Sequence, residues 1–102
     1  MSVHNGHRDR MRQRYKEEGL DGFREHEVLE MLLYYCIAQK DTNEMAHHLI
    51  NKAGSFSRVF DLPMNEIKSI TGLKDNAATF IKFLGAFSKY YAGQCADRKS
   101  VV

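Results

Sequence analysis

The chain has 102 residues, 43% of them hydrophobic and 27% charged, with a formal net charge of +2. That length suits one small domain and leaves no room for a second independent core. No run approaches the ~20 apolar residues of a membrane span, and the longest candidate, Val28 to Ala38, is short and broken by Glu30. The opening, Met1 to Arg14, is polar with several arginines and lacks the apolar stretch of a secretory signal. Cys36 and Cys95 fit neither a disulfide framework nor a four-ligand zinc site, so they are expected as free thiols in a cytoplasmic protein.

The charge is segregated. Residues 1–19 carry five basic and three acidic side chains, residues 20–50 two and six, and residues 51–102 eight and four. Two basic ends around an acidic middle allow a polyanion partner, although a pI of about 8.6 does not demand one.

In chain order the pattern reads as helix throughout, with glycines and Pro63 as punctuation and no period-2 alternation. A first helix is predicted over 6–18, stopped by Gly19. A second, over 24–37, has Glu25 and Glu27 in its first turn and is apolar nearly all round from Val28, as a central buried helix would be. Asp41 or Thr42 caps a third over 43–52, with Glu44 at a capping-box spacing and Gly54 as its stop. Short helices are predicted over 57–60 and 65–70. The last and longest runs from Asp75 to about Ala92, where Ala77, Phe80, Ile81, Leu84, Phe87 and Tyr91 are expected to face inward together.

Two stretches carry a chemical signal. In His7 to Lys16, helical spacing puts Arg8, Arg12 and Lys16 on one stripe and Arg10 and Arg14 on another, with Met11 and Tyr15 between. Such a surface suits phosphates; alternatively these arginines pair with Glu25, Glu27 and Glu30 of the second helix. The second stretch is Glu66 to Ala78: a short helix, a turn at Gly72, Leu73 and Lys74, then a long helix opening on small residues. This is a helix–hairpin–helix pattern, in which hairpin amides and a helix N-terminus meet a phosphate. Lys74 stands where such hairpins usually carry a second glycine; the plainer alternative is a tight turn between packed helices.

Other chemistry is not signalled. His47 and His48 are neighbours and point about 100° apart on a helix, and His4, His7 and His26 have no completing ligands. Cys36 lies in an apolar helix, Tyr34 and Tyr35 read as core, and Ser55 and Ser57 lack a nucleophile-elbow context. No catalytic residue, metal or cofactor is expected, and the chain is not read as an enzyme.

The runs Gly6 to Tyr15 with Glu17 to Leu20, His26 to Tyr35, Lys40 to Asn43 followed by Ala46, Gly54-Ser55-Phe56, and Ile70 to Leu73 resemble, in order, the N-terminal domain of the RadC family. The resemblance covers about residues 6–92 and departs from the family at Lys74 and at Ala38-Gln39, where a Pro-Arg pair is common. It implies an all-α domain of five to six helices over residues 1–95, with its helix–hairpin–helix at about 64–92, from a bacterial protein historically named for DNA repair. In that family a JAB/MPN domain follows, which would make residues 96–102 a tail or the start of a linker. Taken with the two stretches above, the expected function is non-catalytic and sequence-independent: weak DNA binding by Gly72, Leu73 and Lys74 with Arg8, Arg10, Arg12 and Arg14. Lys68 and Lys82 would add to it if they share a face. The alternative is a protein-interaction or regulatory module that docks a JAB/MPN domain or another partner.

Overall fold

A computed structural model describes residues 3–38 and 40–100, with side chains from 6 to 97 apart from residue 39. Gln39, the tail residues 101–102 and the side chain of His4 therefore lie outside the described residues. Six helices follow one another: α1 (Val3–Glu18), α2 (Glu25–Tyr34), α3 (Thr42–Ala53), α4 (Phe56–Val59), α5 (Met64–Thr71) and α6 (Asp75–Ser100). The described residues contain no strand, and the fold class is all-α. The chain divides into two compact units, residues 1–59 and residues 60–102.

In the first unit α2 is the hub, packing on α1, α3 and α4. Leu29 and Leu33 of α2, Ala46 and Leu49 of α3 and Val59 of α4 are fully buried, and Met11 of α1 is nearly so. The apolar run of α2 thus becomes a central helix because three neighbours cover it. α2 is shorter than predicted. The amides of Tyr35, Cys36 and Ile37 turn back onto Leu32 and Leu33, winding the end of the run into a tight turn. Of the two glutamates at its start, Glu27 accepts from the Arg24 amide at 2.9 Å. The Asp41 carboxylate caps α3 by accepting from the Asn43 amide at 3.0 Å, and Gly54, at φ 97°, closes it.

Glu27 also accepts from Arg14 at 3.1 Å. The Arg24 amide first, and then Arg14, hold its carboxyl below the ordinary glutamate value against the opposing effect of burial. A lowered folded value means that this stabilisation is fully present above the unfolded glutamate value of about 4.3 and is lost as pH falls through the folded one. Urea midpoints measured between about pH 6 and about pH 3 should therefore fall, and fall less in Glu27→Gln.

In the second unit α5 packs against the start of α6, burying Ile67, Thr71, Ala78 and Ile81. Gly85 lies against Phe60, where an added Cβ would stand 2.6 Å from the Phe60 Cβ, so the mid-helix glycine is a close-approach site. The Lys82 ammonium donates to the Leu62 carbonyl at 2.8 Å, tying the segment before α5 to α6. One expectation fails here. Ala78 and Ile81 are buried, but Phe80, Phe87 and Tyr91, predicted to face inward, are exposed. α6 also continues beyond Ala92 to Ser100. The helical repeat alone cannot say which of two apolar faces is covered.

Candidate nucleic-acid interface

The arginine-rich α1 belongs to the first unit, and its arginines divide into distinct environments. Arg8 is 6% exposed, which corrects its assignment to a phosphate-binding surface. Its guanidinium donates to the carbonyls of Ile37 at 2.7 Å, Lys40 at 2.9 Å and, more weakly, Tyr34 at 3.5 Å, and it lies 4.8 Å from the Tyr34 ring centre. These carbonyls belong to the end of α2 and the loop after it, where helix geometry leaves acceptors without amide partners. Five fixed donors on one plane suit that task.

Arg14 is engaged as well, with Glu27, the Gly22 carbonyl and the face of Phe23. The pairing alternative therefore holds for Arg14 and Glu27. Glu30, another of the three proposed partners, instead accepts from Tyr34, Asn43 and His7. Arg10 is exposed. Arg12 donates to Asp9 at 2.7 Å and lies 5.9 Å from the rings of both Tyr34 and Tyr35. The Asp9 hydrogen bond is the main cause that raises its already high pKa. The cations that α1 still presents to solvent are thus Arg10, Lys16 and parts of Arg12 and Arg14, whose side chains are 31% and 33% exposed.

The hairpin belongs to the second unit. Gly72 adopts φ 75°, the left-handed conformation expected of a C-cap. Its amide donates to the Lys68 carbonyl at 2.8 Å, and the Leu73 amide donates to the Thr71 hydroxyl at 3.1 Å. Both amides are already satisfied within the turn, which corrects the expectation that Gly72 and Leu73 offer them to a phosphate. What the hairpin does present is exposed Lys74, immediately before α6, and the first-turn amides of that helix, which have no partner within it. Lys68 pairs with Asp75 and Lys82 holds Leu62, so neither adds a free cation to this turn.

Sequence reasoning missed two arrangements in the first unit. Glu30 is 3% exposed and accepts from the Tyr34 hydroxyl at 3.0 Å and the Asn43 amide at 3.1 Å, with His7 Nε2 at 3.2 Å. Burial, reinforced by the Glu30 charge, pushes the Tyr34 phenol upward and keeps it a donor. Tyr35, read as core beside Tyr34, is instead exposed. In the second arrangement the rings of His26 and His47 stack 4.2 Å apart at 26°, joining the start of α2 to α3. Nearly parallel rings do not aim two lone pairs at one point, so the stack is not a bidentate metal site. Among the described residues, no group of three His, Cys, Asp or Glu side chains could hold a metal ion, and no helix is long and apolar enough to cross a membrane. Cys36 is a free thiol, and burial pushes its pKa upward.

The chain is similar to the UPF0758 protein FN0909 of Fusobacterium nucleatum subsp. nucleatum, with 41% identity over 97 residues. The match takes in 94% of this chain and 42% of that protein, so the chain spans less than half the length of the curated relative. No family model matches the chain, and no solved structure does.

Proposed function

We propose that this chain is a RadC-type helical module that binds duplex DNA weakly and without sequence preference, through phosphates rather than bases. The observation that carries the reading is Lys74, exposed at the left-handed Gly72 turn and set at the N-terminus of the 26-residue α6. An ammonium beside unpartnered helix amides is an environment that favours a phosphate. Arg10 and Arg12 of α1 supply further cations in the first unit, and the resemblance of residues 6–92 to the RadC N-terminal domain supports the same reading. Contacts to phosphates position a duplex without reading it. The module has no catalytic residues of its own in this reading, and it requires neither a metal nor a cofactor.

The test is a fluorescence-anisotropy titration with a labelled duplex at about 50 and about 200 mM salt, where three cation–phosphate contacts would weaken binding roughly 40-fold. Lys74→Glu is expected to lower affinity about 10-fold at the lower salt while leaving the fold intact, since Lys74 is exposed. Salt-insensitive binding, or none at about 50 mM, overturns the reading. A protein-docking role is the second reading, favoured by the exposed aromatic side of α6.

A further inference from the structure

α6 carries two apolar sides. One holds buried Ala78 and Ile81 and the close contact of Gly85 with Phe60. At about 100° per residue, Phe80, Phe83, Phe87, Tyr90 and Tyr91 gather on the other, about 180° around the helix. All five are exposed, Phe83 at 57% and Tyr90 at 68%, and the Phe83 and Phe87 ring centres lie 5.9 Å apart. The first four follow a 3-4-3 spacing, the a and d positions of a helix–helix seam.

We propose that this face is where a second copy of the chain docks, α6 against α6. Five aromatic rings at about half exposure amount to about 500 Å² of apolar surface, near the upper end of what a monomer leaves uncovered. With small neighbours such as Ala86 the patch stays below the about 800 Å² per partner of a standard interface, the size of a weak, concentration-dependent association. Its charge pattern favours protein over nucleic acid, because Lys82 and Lys89 fall on the other side of the helix and no cation interrupts the face from Phe80 to Tyr91. The pattern is also self-complementary. Two antiparallel copies of α6 crossing near residue 85 set Phe80 across from Tyr90 and Phe83 across from Phe87, so every ring of the seam meets a ring. Aromatic pairs of that kind add to the burial itself, and opposed helix dipoles suit the antiparallel arrangement.

Sedimentation equilibrium of the 102-residue chain, from about 1 to about 200 µM, tests this directly. The expected mass rises with concentration to twice the 11.8 kDa of the chain. The double variant Phe83→Lys, Tyr90→Lys is expected to stay at the single-chain mass with an unchanged circular-dichroism spectrum, since both residues are exposed. Lys89→Glu, on the same helix but off the face, should dimerise like the unaltered chain. A single-chain mass across the whole range overturns the proposal. So does a dimer that persists in the double variant, or a switch to monomer in Lys89→Glu.

Discussion

Arg8→Ala is expected to destabilise the first unit by about 3–5 kcal/mol, from the loss of two full-strength hydrogen bonds made by a charged donor. The side chain is almost wholly enclosed, and its guanidinium bonds the carbonyls of Ile37 and Lys40 at full strength and that of Tyr34 at the edge of hydrogen-bond range. Truncation removes the donors and leaves those acceptors without them, while hydrogen bonds to charged groups are each worth about 1.5–3 kcal/mol. The variant also loses the packing of the guanidinium over the Tyr34 ring. Arg8→Lys should recover only part of the loss, because one compact ammonium cannot reproduce a planar fork. Urea denaturation followed by circular dichroism measures both variants. An Arg8→Ala chain as stable as the original would mean that the carbonyls find other donors. Nucleic-acid affinity per molecule of folded protein should not change, since Arg8 is not at the surface.

Glu30→Ala is expected to cost about 2–4 kcal/mol in the same assay. Its carboxylate gathers donors from three helices, with His7 on α1, Tyr34 on α2 and Asn43 on α3. His7 and Asn43 can turn to water, but the buried Tyr34 hydroxyl loses its acceptor and a cavity opens where the buried carboxylate stood. Glu30→Gln keeps the volume yet offers one acceptor oxygen and an amide that faces donors, so a loss of about 1–2 kcal/mol is expected. If Glu30→Gln proved as damaging as Glu30→Ala, the negative charge itself, rather than the count of acceptors, would be what holds the three helices together.

These two residues also show where reading the chain by pattern stops working. Arg8 and Arg12 occupy the same helical stripe and look equivalent in the sequence, yet one is buried under the end of α2 and the other meets solvent. The difference arises because the chain leaves α2 after Tyr34 and the carbonyls of Ile37 and Lys40 in the following loop need donors, and only the packing of α1 on α2 brings Arg8 to them. Glu30 looked like a surface partner for arginines. It became an interior acceptor because α3 covers that side of α2 and supplies Asn43. The hairpin was legible as a turn from Gly72 alone, since left-handed backbone favours glycine. That the Gly72 and Leu73 amides are consumed inside the turn depends on the carbonyl of Lys68 and the hydroxyl of Thr71, which spacing does not display.

Elements governed by contacts within a few residues were written in the sequence. These include six helices close to their predicted places, the stops at Gly54 and Gly72, the Asp41 cap, the first-turn glutamates of α2 and its apolar run. Each depends on local backbone preference and helical period, which act between near neighbours along the chain. What only the tertiary structure decided is which side of each helix is covered. The aromatic repeat of α6 reads as a core face, but the chain buries Ala78 and Ile81, sets Gly85 against Phe60, and leaves Phe83 and Tyr90 in solvent. Periodicity reports that a helix has an apolar side; only a neighbouring surface, supplied from elsewhere in the chain, removes that side from water.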